Sequence, residues 1–300
     1  MNESLYKFPP SYKNMCSAIS YLKSEYSDLK VFPIGASVLG REITALSIGN
    51  PMNATLFVGA THGLEWLTTL LLLRFCEEVL EGLRTGAPVS EIDVGKALRN
   101  RSLVLIPCLN PDGVEIALNG KEGALHKGDF VEELCGGNYK LWQANANGVD
   151  INHNFDAGWC ILKELEQASG ITSPAPTRYG GPHPHSEPET TAVTTFCMTY
   201  QPRILYAMHS QGEEIYYRYG DKTPERSMLM AQILASSSGY KLATPTGLAS
   251  HGGLKDWFIE KFQRPGFTIE VGRGKNPLGL EQFGKIYAKI QEMLIIATLL

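Results

Sequence analysis

Residues Thr55-Leu56-Phe57-Val58-Gly59-Ala60 form an unbroken apolar or small run that leads into His62-Gly63-Leu64-Glu65. A second apolar run starts at Trp66 and reads as a helix. A strand without polar alternation is one buried on both faces, as in a parallel sheet covered by helices. The chain is thereby directed to an open α/β architecture. His62 and Glu65 then sit where a strand ends and a helix begins, the usual place for a site on such a sheet. A spacing of three lets both side chains aim at one point. Imidazole nitrogen and carboxylate oxygen are ordinary zinc ligands, and a catalytic zinc commonly takes three protein ligands plus a water. Alone, the motif equally fits a helix start with a surface carboxylate, so other segments must decide.

Two further strands supply what is missing. Arg203-Ile204-Leu205-Tyr206-Ala207-Met208-His209-Ser210 is apolar and ends in a histidine. A lone histidine there would be a satisfied core residue. With His62 and Glu65, His209 completes a His-Glu-His set with one open position. Gly266-Phe267-Thr268-Ile269-Glu270-Val271-Gly272 places a carboxylate inside an apolar strand. That is costly unless the group is paired or its pKa rises, and a raised carboxylate beside a metal-activated water is a good general base.

Asn110-Pro111-Asp112-Gly113 and Trp142-Gln143-Ala144-Asn145-Ala146-Asn147-Gly148-Val149-Asp150-Ile151-Asn152-His153-Asn154-Phe155 are rich in turn-forming residues. Taken in order with His-x-x-Glu, His209-Ser210, Asp256-Trp257 and Glu270, the string resembles the zinc carboxypeptidase family. The resemblance implies an α/β fold with a mixed eight-stranded sheet flanked by helices on both faces, one zinc ion per chain, and Glu270 as general base. Within that family the chain is similar to bacterial γ-D-glutamyl-meso-diaminopimelate peptidases. Tyr179-Gly180-Gly181-Pro182, Ser186-Glu187-Pro188-Glu189, His209-Ser210-Gln211-Gly212-Glu213 and Gly253-Leu254-Lys255-Asp256-Trp257-Phe258 carry that likeness. It implies hydrolysis of an amide bond in a small peptide or muropeptide.

The departures bear on substrate. Digestive-type members carry Arg after the Asn matched by Asn152, to grip a terminal carboxylate; here it is His153. They carry an oxyanion-stabilising Arg after the matching Trp; here it is Gln143. A tyrosine expected shortly before Gly252-Gly253 is matched by Leu248. Imidazole cannot reproduce the bidentate fit of guanidinium to carboxylate, so ordinary C-terminal trimming loses its support. Asn152, His153 and Gln143 are the candidate substrate contacts. The position of the family's specificity residue is Lys255, and Lys255 or Arg273 is expected to bind a carboxylate of diaminopimelate. Three alternatives share parts of the pattern: an ordinary metallocarboxypeptidase, a zinc N-acyl amino acid deacylase, and a non-catalytic peptide-binding module. A buried base such as Glu270 argues against the last.

Three hundred residues, 43% hydrophobic, without a linker, charge block or repeat, suit a single catalytic domain over residues 1–300. The net charge of −4 and the lack of a basic run exclude nucleic acid as an expected partner. Leu70-Leu71-Leu72-Leu73 stops at Arg74, so no membrane span is expected. No signal-peptide pattern opens the chain, so a cytoplasmic location and reduced cysteines are expected. Cys135 and Cys160 flank the Asn-rich segment and are the one pair considered for a disulfide. Helices are expected over Tyr12 to Tyr26, Trp66 to about Gly82, Glu187 to Thr199 with Ser186 as its cap, Glu225 to Ser237, Leu254 to Phe262, and from Leu280. Lys30 to Ser37 and Glu42 to Gly49 read as an antiparallel pair, and Ser102 to Asn110 and Glu214 to Tyr219 as strands. Asn119 to Pro184 reads as a long loop, and loops that long are usually functional. His126, His183 and His185 read as loop residues, and His251 as lying near the pocket.

Overall fold

The computed structural model describes residues 1–300. Eight strands form one mixed sheet: β1 (Leu29–Ala36), β2 (Glu42–Ile48), β3 (Thr55–Val58), β4 (Leu103–Ile106), β5 (Ile204–His209), β6 (Glu214–Tyr216), β7 (Lys241–Leu242) and β8 (Gly266–Glu270). Their order across the sheet is β1-β2-β4-β3-β5-β8-β6-β7. The central four, β4-β3-β5-β8, run parallel, while β2 and β6 join antiparallel on either side. The apolar runs are explained by burial on both faces. Phe57, Leu105, Tyr206 and Phe267 enter one core, packed beneath helices Leu67–Thr85 and Phe283–Leu299. Leu56, Val58, Val104, Leu205 and Ala207 enter the other, beneath Pro188–Tyr200 and Leu254–Phe262. Successive side chains alternate between the two cores, as the pleat requires.

This order makes β3 a switch point. The chain leaves β3 and returns beside it as β4 on one side, then as β5 on the other. The connections therefore part above the carboxyl end of β3, leaving a crevice there.

The expected loop from Asn119 to Pro184 is instead interrupted by helices at Gly128–Cys135 and Trp159–Ala168. Each buries two residues, Gly128 and Val131 in one, Leu162 and Glu166 in the other, too few to write a clear period into the sequence. Ser186 is not the cap of the following helix. Glu187 holds that position without a side-chain cap, Pro188 opens the helix, and Ser186 Oγ donates to Glu187 Oε1 at 2.7 Å. The two-residue β7 carries no sequence signal and is defined only by pairing with β6. All six cysteines are free thiols, so Cys135 and Cys160 do not pair. No helix is long and apolar enough to cross a membrane.

Candidate active site

His62 and Glu65 lie in the turn that follows β3, His209 ends β5 and Glu270 ends β8. Register places His209 directly beside Glu270. Four residues from three distant segments thus converge because they end or follow three neighbouring parallel strands.

The turn is fixed from outside. Asn110 Nδ2 donates to the carbonyls of Thr61, Gln143 and Ala144 at 3.1–3.2 Å, and its Oδ1 accepts the Gly113 amide at 2.8 Å. Asp112 accepts from Ser37 Oγ, the Leu39 amide and Arg41. The Asn-Pro-Asp-Gly segment is therefore a knot that binds the His62 turn to the loop carrying Gln143.

Within the turn, His62 Nδ1 lies 3.0 Å from Glu65 Oε1, and His209 Nδ1 lies 2.9 Å from Glu65 Oε2. The two Nδ1 atoms face each other at 3.3 Å. Ligands at about 2.0 Å in a tetrahedral shell sit about 3.3 Å apart, so the spacing and the donor chemistry fit zinc. Behind the set, Asp150 Oδ1 lies 3.2 Å from His62 Nε2 and fixes the orientation of the ring. Burial opposes the His62 cation, yet Glu65 and Asp150 hold its pKa well above the usual histidine value. Burial alone would raise Glu65, but His62 and His209 bring it down to about 2. Glu270 goes the other way. Burial, reinforced by the charge of Glu65, raises its carboxyl well above the usual range.

A cleft of about 550 Å³ opens onto these groups. Gln143, Asn152, His153 and Lys255 all line it. Asn152 Oδ1 accepts the Leu254 amide at 3.1 Å, leaving its side-chain NH2 for a ligand. His153 Nδ1 donates to the Arg178 carbonyl at 3.0 Å, so Nε2 is its remaining polar atom. Gln143 Oε1 accepts from the Thr177 hydroxyl, which leaves the amide NH2 as the group it can offer. Lys255 Nζ donates to the Arg218 carbonyl at 2.9 Å and pairs with Asp256, with one hydrogen left over. Arg273 is placed elsewhere. Its Nε binds Glu213 Oε2 at 2.7 Å, its side chain is 66% exposed, and it does not line the cleft. His251 lines the cleft, as does Leu248.

Two residues escaped the sequence reading. Asp150 belongs to the motif of residues 148–155, but its bond to His62 is a tertiary contact. Arg178 lies in a stretch with no period or spacing to mark it, yet its side chain is the one guanidinium in the cleft wall.

Fold and site together define a zinc metallopeptidase. The model of the zinc carboxypeptidase family matches residues 15–292, and the chain belongs to that family. Among relatives, gamma-D-glutamyl-L-diamino acid endopeptidase 1 of Lysinibacillus sphaericus is 34% identical over 278 residues, covering 92% of this chain and 69% of that protein. Human carboxypeptidase B is 27% identical over 262 residues, covering 79% and 56%. Bovine thrombin-activatable fibrinolysis inhibitor, solved with tick carboxypeptidase inhibitor, superposes with a TM-score of 0.73 at 20% identity, over 98% of this chain and 97% of the other.

Proposed function

We propose that the protein hydrolyses the amide bond between γ-D-glutamate and meso-diaminopimelate in peptidoglycan-derived peptides. The observation that carries this reading is a complete zinc and general-base set in a cleft where the residue after Asn152 is His153 and not the arginine that receives a C-terminal carboxylate in digestive relatives. The likeness to an endopeptidase named for γ-D-glutamyl-L-diamino acid substrates supports it.

His62, Glu65 and His209 would hold the zinc ion, which when bound would supply a Lewis acid to activate a water and polarise the scissile carbonyl. Glu270, its pKa raised by burial, accepts the proton of the attacking water and returns it to the leaving amine. Gln143 offers its amide NH2 to the oxygen that gains charge, a weaker donor than the guanidinium of digestive relatives but already aimed by Thr177. Asn152 and the Nε2 of His153 hold the peptide. Lys255 directs its remaining hydrogen at the second carboxylate of diaminopimelate.

The test is cleavage of L-Ala-γ-D-Glu-meso-diaminopimelate against a hippuryl-type carboxypeptidase substrate, followed by mass spectrometry. Chelator-sensitive release of diaminopimelate is expected. Cleavage of the hippuryl substrate alone would replace this reading with an ordinary carboxypeptidase, and no cleavage by the zinc-loaded protein would favour the deacylase or the binding module. Glu270→Gln should retain zinc and lose on the order of 10²–10⁴ in kcat; full turnover would remove Glu270 from the mechanism. In the same assay Lys255→Ala should raise the Michaelis constant for the diaminopimelate peptide, and an unchanged value would dismiss Lys255.

A further inference from the structure

The cleft contains one guanidinium, and it has no counter-charge. Asp256 answers Lys255, and Glu65 and Asp150 flank His62. The Arg178 guanidinium, the only one lining the cleft, makes no hydrogen bond, ion pair or aromatic contact. Its backbone, by contrast, is held on both sides. The Arg178 amide donates to Asp150 Oδ2 at 2.9 Å, and its carbonyl accepts from His153 Nδ1 at 3.0 Å. Neighbouring bonds continue the clamp, since the Pro176 carbonyl accepts the Gln143 and Ala144 amides and the Tyr179 carbonyl accepts the Asp150 amide. Arg178 also has φ of +69°, a left-handed conformation that costs a non-glycine residue energy and is retained where the surroundings impose it. A single carboxylate, Asp150, therefore links the backbone of Arg178 to the ligand His62 and sets the guanidinium's origin relative to the metal site.

The chemistry of the proposed substrate supplies the missing anion. In a γ-linked D-glutamyl residue the scissile carbonyl belongs to the side chain, and the α-carboxylate stays free. Four carbon–carbon bonds separate the two, a span of about 5 Å. An α-linked peptide has a carboxylate at that span on the acyl side only where the acyl residue is itself a glutamate. We propose that Arg178 grips the free α-carboxylate of the γ-D-glutamyl residue and so selects acyl donors that carry a free carboxylate there; this rests on the function proposed above. A planar fork of donors suits a carboxylate bidentately. The arginine missing after Asn152 is thus accompanied by one that reaches the same cleft from another loop.

The experiment uses the zinc-loaded full chain and two tripeptides, L-Ala-γ-D-Glu-meso-diaminopimelate and its isoglutamine analogue, in which the α-carboxylate is an amide. The wild type should prefer the acidic peptide by on the order of 10- to 100-fold in kcat/KM, the worth of a charge-assisted contact. Arg178→Gln should erase that preference mainly by slowing the acidic peptide, and Arg178→Lys should keep part of it. The side chain makes no hydrogen bond or ion pair within the protein, so zinc content and Tm should match the wild type in both variants. A preference that persists in Arg178→Gln, or is absent from the wild type, overturns the assignment. If the wild type cleaves neither peptide, the proposed function falls, and calorimetric binding of the same peptides decides Arg178. Tighter binding of the acidic form that vanishes in Arg178→Gln supports the grip, and equal binding of the two forms overturns it.

Discussion

Asp150 serves three partners with one carboxylate, turning the His62 ring and accepting the Asn152 amide through Oδ1 and anchoring the Arg178 backbone through Oδ2. Its carboxyl is held well below the usual range because His62 and His153 outweigh the effect of burial. Removing the charge while keeping the shape releases the ring and weakens the ligand. Asp150→Asn should therefore lower zinc affinity by about 10- to 100-fold, read by competition with a chromogenic chelator. Affinity equal to the wild type would show that His62 is oriented by Glu65 alone. The residues that do chemistry were legible because each carries a distinctive group at the end of an apolar run. The residues that orient them were not, since a hydrogen bond between positions 62 and 150 leaves no local pattern in the chain.

At the level of elements, the site depends on how closely the turn after β3 meets the helix Pro111–Asn119. A Cβ built on Gly63 would lie 2.2 Å from the Gly113 carbonyl oxygen, which is backbone and has little freedom to yield. The Gly63 amide also donates to the Gln143 carbonyl at 3.0 Å. Gly63→Ala should force the turn outward, costing about 1–3 kcal/mol of stability and weakening zinc binding. Urea unfolding and chelator competition check both effects; wild-type values in each would show that the contact relaxes without cost. Most strands and helices could be placed from apolar runs and periodicity. The Gly128–Cys135 and Trp159–Ala168 helices could not, because each is short and turns few residues inward. Nor could the wall made by residues 174–181, whose order comes from bonds to other loops.

Across the whole molecule, burial sets a pH response away from the metal. Glu189 is fully buried beneath the sheet, accepting the Val38 amide and Asn145 Nδ2. Burial, helped by the charge of Asp112, pushes its carboxyl up to about 8. The folded state thus holds a proton that the unfolded chain releases near its ordinary carboxylate value of about 4.3. Stability from this group is full at low pH and is lost as pH rises toward about 8. Relative to the wild type, Glu189→Gln should gain unfolding free energy between pH 5 and pH 8, on the order of 1 kcal/mol or more. A difference that stays flat across that range would show Glu189 ionised throughout. The sequence by itself determined the parallel core of the sheet, the His-Glu-His set and the base Glu270. Burial on both faces demands unbroken apolar runs, and strand ends are where their polar neighbours must go. Only the tertiary structure decided which loops close over that crevice. It placed Arg178 in the cleft, turned Arg273 away to Glu213, and paired Lys255 with Asp256. Such choices depend on which charges meet in space, and a linear order of residues does not contain those distances.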